Sequence, residues 1–331
     1  MENNDEKNNP ILEIETEKEI FCLCLLDNNS KIAIGMPNNT LSIYTSDLSK
    51  KLNTINQPSY YLSELSEKTN RNGVKLLCCS YSYEIKIIEL LFKNDKVDYN
   101  ILYKIEPNES RNEISKAIEL DNENKTIVSI DEHNIIIYNL INGNTGIKYY
   151  ETKKISVEEP NDILNINNNM FCVSYKNKGI LQFYDNKNFN LIKEIKKVES
   201  FGCNSYICKL NDNILCIGGF NYISLIDINF KQINNKIELI KHKERITCTC
   251  GVIENRILIV GTKYKNEINN EFFYDIIVYE LNRDNILQEL LRFSNAHDKI
   301  INCIVYNNGY TISCSEDKKI KKWDLSHLIN K

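Results

Sequence analysis

A short apolar run recurs seven times along the chain, at a period that few folds accommodate. Leu41–Tyr44, Ile85–Ile88, Ile135–Tyr138, Leu181–Tyr184, Ile223–Ile226, Ile276–Tyr279 and Ile320–Trp323 are each four residues that open on Leu or Ile, and several are rich in β-branched side chains. Each ends on an aromatic or aliphatic residue. The terminal positions are 44, 88, 138, 184, 226, 279 and 323, so successive spacings are 44, 50, 46, 42, 53 and 44. A regular period of this length means stacked supersecondary units, each too small to bury its own apolar faces alone.

The rest of the unit repeats with the run. The clearest copy is the last, Ala296 to Ser326. It holds an apolar strand, a turn at Asn307-Asn308-Gly309, a second strand, a polar turn, and a third strand that ends in Trp323-Asp324. In the opening strands Ile20, Ile246 and Ile301 align, and the residue two further on is Cys22, Cys248 and Cys303; Cys208 takes that slot after Tyr206. A cysteine that follows the period is a packing choice. A fourth strand reads at Ile101–Ile105, Leu191–Ile195 and Ile286–Leu290. Little chain follows Trp323, but Ile11–Glu15 has the look of a fourth strand ahead of the first unit. The expectation is that this N-terminal strand completes the last unit and so removes an exposed edge.

The final unit resembles a WD repeat over its whole length, and the period carries that resemblance from about residue 11 to the C-terminus. The resemblance implies an all-β, seven-bladed β-propeller with four antiparallel strands per blade, the last blade closed by the N-terminal strand. It implies a single domain over residues 11–331, after a disordered tail over residues 1–10. In that family a His, a Ser, an Asp and a Trp form a buried hydrogen-bonded network within a blade, and the matching residues are His297, Ser313, Asp317 and Trp323. The Gly-His dipeptide of the family appears only as Ala296-His297 and Lys241-His242, and Trp323 is the sole Trp. Six of the seven blades are therefore expected to rest mainly on apolar packing.

Composition narrows the function. A net charge of −4 gives no basic footprint for nucleic acid. No apolar stretch approaches the roughly 18–20 residues of a membrane-spanning helix, and residues 1–10 lack a signal-peptide core. An intracellular chain, cytoplasmic with nuclear residence left open, is the expectation. The 12 cysteines include no Cys-x-x-Cys pair, so neither a zinc ribbon nor a disulfide framework is expected. No Gly-rich phosphate loop is present, and no metal or cofactor is called for.

Ser313, His297 and Asp317 are also the residue types of a hydrolase triad, but no Gly-x-Ser-x-Gly elbow surrounds Ser313. The blade network accounts for the same three side chains, and no catalytic residue is assigned. His133 and His327 read as solvated surface residues. The reading is a non-enzymatic scaffold for protein–protein interaction, or a subunit of a multiprotein complex, with protein partners. The alternatives are an adaptor or substrate receptor in a ubiquitin-ligase, trafficking, ciliary or signalling complex and, in a different class, a propeller enzyme or small-ligand binder. Candidate partner-binding residues are Tyr264 and Ile268, in an insertion from Lys263 to Phe273, with Tyr60 and Tyr61 as a second patch. Residues 92–99 read as the longest loop between a third and a fourth strand.

Overall fold

The computed structural model describes residues 9–37, 39–57, 61–64, 73–79, 84–93, 96–105, 114–121, 125–143, 146–176, 179–196, 206–220, 222–229, 232–238, 244–252 and 256–329. They form seven four-stranded antiparallel sheets, a seven-bladed β-propeller, with one short helix, α1 (Ser326–Ile329). Blade 1 holds β2 (Cys22–Leu26), β3 (Lys31–Met36), β4 (Thr40–Thr45) and β5 (Lys51–Asn56). Blade 2 holds β6 (Tyr61–Glu64), β7 (Gly73–Cys79), β8 (Ile85–Lys93) and β9 (Lys96–Ile105). Blade 3 holds β10 (Lys116–Asp121), β11 (Thr126–Ile130), β12 (Asn134–Gly143) and β13 (Gly146–Ser156). Blade 4 holds β14 (Pro160–Asn167), β15 (Met170–Tyr175), β16 (Ile180–Asp185) and β17 (Leu191–Lys196). Blade 5 holds β18 (Tyr206–Lys209), β19 (Ile214–Gly218), β20 (Tyr222–Asp227) and β21 (Gln232–Glu238). Blade 6 holds β22 (Arg245–Val252), β23 (Ile257–Lys265), β24 (Phe272–Leu281) and β25 (Leu287–His297). Blade 7 holds β26 (Ile301–Asn307), β27 (Tyr310–Ser315) and β28 (Lys319–Asp324), with β1 (Leu12–Glu15) as its outer strand. By contacts the chain divides into two compact units, one with blades 1 to 4 and the other with blades 5 to 7 and β1.

All seven recurrent runs fall in third strands, and each third strand is internal to its sheet. Their mainly apolar character follows from burial on both faces. In β24, Ile276 and Val278 pack into a core shared with blade 7, beside Trp323, while Ile277 and Tyr279 pack into a core shared with blade 5, beside Leu225 and Ile246. Blades 1 and 2 share Leu41, Ile43, Leu76 and Ile88 in the same manner, and blades 2 and 3 share Leu77, Ile87, Ile127 and Tyr138. A strand with period-2 side chains serves two neighbours at once. Blade spacing is tight enough to demand glycine at one point: a Cβ on Gly251 of β22 would lie 1.8 Å from the Lys209 carbonyl oxygen of β18.

The N-terminal strand closes the last blade. Leu12 stands opposite Lys322 and Glu15 opposite Lys319. Backbone bonds from Ile11 N to Lys322 O (2.8 Å) and from Thr16 N to Lys318 O (2.8 Å) extend the ladder. Glu13 adds ion pairs to Lys319 and Lys321 at 3.1 and 3.2 Å. The hairpin between β26 and β27 turns at Asn308 and Gly309, both with positive φ (46° and 86°), as a tight antiparallel connection requires.

Two sequence expectations are corrected. Residues 92–99 do not form a long loop: β8 runs on to Lys93, β9 begins at Lys96, and Phe92 pairs with Val97. Apolar Phe92 and Val97 keep the ladder going where the sequence suggests a loop. The Lys263–Phe273 insertion is part strand and part turn, not a loop throughout. β23 extends through Lys265 and β24 starts at Phe272, which leaves a turn of residues 266–271.

Candidate functional site

Trp323, near the end of β28, is 1% exposed and is the largest fully buried side chain. Its ring lies 4.7 Å from that of Phe293 on β25. An indole can only donate, and here Nε1–H donates to Ser313 Oγ at 2.9 Å. Ser313 Oγ lies 2.8 Å from His297 Nε2, and His297 Nδ1 lies 2.8 Å from Asp317 Oδ2. The carboxylate can only accept, so Nδ1 carries the proton and the neutral ring accepts from Ser313 through Nε2. Asp317 also accepts from the backbone N–H of Asp298 (3.0 Å) and of Lys319 (2.9 Å). Burial lowers the His297 pKa, which favours the neutral ring even though Asp317 pulls the other way. Burial would raise Asp317, but the hydrogen bond from His297 and the two backbone N–H groups outweigh it and hold the carboxyl at about 2.

The structure brings together all four residues singled out in the last repeat, with one difference. His297 does not open blade 7. It ends β25 and pairs with Tyr274, so it belongs to the outer strand of blade 6. The network spans two blades instead of lying within one. Asp317–His297–Ser313 has the hydrogen-bond order of a hydrolase triad, but Ser313 is 0% exposed and its oxygen already takes the Trp323 proton.

Blade 6 contains a polar cluster that the sequence reading did not anticipate. Arg292 on β25 reaches Glu244 Oε1 (2.9 Å) and Asp275 Oδ2 (3.0 Å) through Nη1. It meets Glu289 through Nε and Nη2 (3.1 and 3.2 Å). Asp275 also accepts from Asn295 N at 2.9 Å. The Glu244 and Asp275 side chains are each 1% exposed. Burial opposes the guanidinium charge, but Glu289 and Glu244 more than offset it and raise the Arg292 pKa. The signal was present as Asp275 abutting the apolar run Ile276–Tyr279. A carboxylate beside a run buried on both faces calls for a cation on an adjoining strand. Blade 6 thus adds a buried ionic cluster to its apolar packing.

The blade 6 hairpin carries the first pair of proposed contact residues. Tyr264 and Phe273 are a cross-strand pair with rings stacked at 5.2 Å and 17°. Lys263 Nζ sits 4.3 Å from the centroid of Phe272, which is half exposed. Asn266 organises the turn: its N–H donates to Glu271 O (2.8 Å), its carbonyl accepts from Asn270 N (3.0 Å) and its Oδ1 accepts from Ile268 N (2.9 Å). Ile268 is held at the tip and is 94% exposed.

The second pair is not brought to that place. Tyr60 lies outside the described residues. Tyr61 is in β6, half-buried against the core shared by blades 2 and 3, with Lys116 Nζ 5.1 Å from its ring. Burial pushes its phenol up to about 12, against the pull of Lys116. His133 is exposed, as is His327, while Lys241 and His242 lie outside the described residues. The 11 described cysteines are all free thiols, and eight of them are buried. Among the described residues no group of three or more His, Cys, Asp or Glu is placed to hold a metal ion, and no helix is long and apolar enough to cross a membrane.

The fold defines the class as a seven-bladed β-propeller. No family model matches the chain, and no curated protein matches it by sequence. Among solved structures it is similar to a chain of the crystal structure of the mitotic checkpoint complex, with a TM-score of 0.70 over 96% of this chain and 92% of that one. The two are 10% identical, so the likeness is one of fold.

Proposed function

We propose that this chain is a WD-repeat protein that acts as a non-enzymatic, intracellular scaffold or complex subunit, with the blade 6 hairpin as a docking element. The observation that carries the reading is the hairpin tip. An isoleucine 94% exposed is held by an Asn-centred turn beside a half-exposed phenylalanine and a stacked Tyr264–Phe273 pair. Rigid aromatic and aliphatic groups at a surface are what a partner's pocket can bury at low entropic cost. Full burial of Ser313 and its bond to Trp323 support a structural role for the His297–Ser313–Asp317–Trp323 chain. The neighbouring fold, found in a structure titled as a complex, is consistent with protein partners.

The test is affinity purification of tagged wild type beside a Tyr264→Ala, Ile268→Ala double variant, with melting temperatures compared first. The expected result is a folded variant that loses a partner which wild type retains. A folded variant with an unchanged partner list removes the hairpin from the reading.

A further inference from the structure

Blade 7 differs from the other blades in how its outer strand is attached. In blades 1 to 6 the outer strand follows the third strand through a hairpin. Blade 7 takes its outer strand from elsewhere in the sequence, and no hairpin joins β1 to β28. A hairpin turn keeps an outer strand beside its neighbour even while their ladder is open, because the local concentration stays high. β1 has no such turn.

β1 also has no share in the core. The outer strands β5, β9 and β25 bury Ile55, Val97, Ile105, Leu287 and Phe293 in the apolar clusters between blades. On β1, Leu12 and Ile14 are only half-buried, and neither they nor Ile11 is part of the core around Trp323. β13 and β17 bury no side chain either, but each is joined to its third strand by a hairpin. What holds β1 is a four-residue ladder, the flanking backbone bonds of Ile11 and Thr16, and the ion pairs of Glu13 with Lys319 (3.1 Å) and Lys321 (3.2 Å).

The chain is pinned again just past this strand. Ile20 is fully buried, its N–H donates to Ser315 O (3.3 Å), and its carbonyl accepts from Asn302 Nδ2 (2.8 Å). Residues 17–19 lie between the two attachments and form no strand. A hinge there lets β1 leave β28 while Ile20 stays in place. Local opening of an element with few buried contacts costs far less than global unfolding.

The edge that β1 covers is selective. Backbone N–H and C=O groups along β28 pair with any strand laid beside them. The Lys321 side chain is 10% exposed and shares the Glu13 carboxylate with Lys319. Cations held this close to the sheet call for an acid from whatever strand replaces β1. The half-buried positions of Leu12 and Ile14 call for apolar side chains on either side of that acid.

We propose that β1 is an exchangeable strand, and that the β28 edge beneath it docks an extended segment of a partner protein in which apolar residues alternate with acids. The incoming strand runs antiparallel to β28, with an acid opposite Lys321 and apolar side chains opposite Ile320 and Lys322. β1 is then a resident competitor that a partner strand must displace. The proposal rests on the reading of the chain as a docking protein, at a site apart from the blade 6 hairpin.

The probe is a fluorescein-labelled synthetic peptide of residues 9–17, titrated by anisotropy against the full chain. A Leu12→Cys, Lys322→Cys variant provides a lock that leaves Glu13 and its lysines untouched. The two residues are opposite one another, and opposite strand residues lie about 4.5–5.5 Å apart, within disulfide reach. Peptide mapping by mass spectrometry verifies that bond among the native thiols. The expected result is binding to wild type, no binding to the oxidised lock, and binding again once the lock is reduced. Glu13→Lys in the chain should tighten peptide binding roughly tenfold, because a third cation beside Lys319 and Lys321 raises the open fraction. The same change in the peptide should weaken it by a similar factor. The Tyr264→Ala, Ile268→Ala variant should bind the peptide as wild type does, so this proposal and the blade 6 reading fail separately. Three results would each overturn the exchange: no binding to either wild type or the Glu13→Lys chain, equal binding to the oxidised lock, or hydrogen exchange over Leu12–Glu15 as slow as in β27. Wild-type dimers in light scattering that the free peptide dissociates would assign the edge to a second copy and overturn the partner.

Discussion

At the scale of single residues, the Trp323 network makes the sharpest demands. Every polar atom in the chain from Trp323 to Asp317 has a partner, and a buried network is stabilising only in that condition. Trp323→Ala empties a fully buried site beside Phe293 and is expected to cost about 3–5 kcal/mol in chemical denaturation. Ser313→Ala keeps the volume but strands the indole N–H and the imidazole nitrogen, at about 1–3 kcal/mol. A melting curve like wild type for both would remove the network from the account of stability. The pH dependence follows with a definite sign. Asp317 is held at about 2 in the folded chain, against about 3.9 unfolded. Its contribution is therefore present above about pH 4 and is lost as the pH falls toward 2. His297 is lowered from 6.5, so the unfolded chain takes its proton first and stability also declines as the pH drops below about 6.5. Asp317→Asn should flatten the steeper acid limb by about 1–2 kcal/mol once screening is allowed for, as read from melting temperatures between pH 3 and pH 7.

At the scale of elements, the third strands were legible because burial on both faces favours apolar residues at successive positions. Ile135–Tyr138 and Ile276–Tyr279, unbroken apolar runs, stand out for that reason even without a Trp. Ile11–Glu15 was legible as a strand by another pattern, Leu12 and Ile14 alternating with Glu13 and Glu15 as an outer strand allows. Hairpin lengths were not legible. Phe92 and Val97 look like the apolar fringe of a loop until they are seen paired, and Tyr264 with Phe273 is a cross-strand stack that one strand's sequence cannot reveal. The Arg292 cluster was hidden because its members, Glu244, Asp275 and Arg292, come from three places in the chain and meet only in the folded blade. Deletion tests the element that was read correctly. Removing residues 1–17 takes away β1, at about 1 kcal/mol for each ladder hydrogen bond lost, and bares the β28 edge. Earlier melting and aggregation on light scattering are expected. Removing residues 1–9 spares every β1 contact described above and should leave the melting temperature unchanged; equal stability of all three chains would refute closure by β1.

At the scale of the whole molecule, blade 7 is made from both ends of the chain, with Ile11 N bonded to Lys322 O. A permuted chain that begins at residue 18 and carries residues 9–17 after Lys331, through a short Gly/Ser linker, turns β28 and β1 into a local hairpin. It should melt within a few degrees of wild type and refold faster in stopped-flow fluorescence, because loop closure over most of the chain is replaced by closure over a few residues. Slower refolding would count against this order of events. The same closure has a consequence on the ribosome. At about 5–20 residues per second, β1 emerges roughly 15–60 s before the strand it must join. For that interval the nascent chain displays an unpaired strand at one end and an unfinished sheet at the other. Glu13 and Glu15, which flank Ile14 in β1, place like charges on the waiting strand and so disfavour its pairing with a second copy that the polysome brings past it.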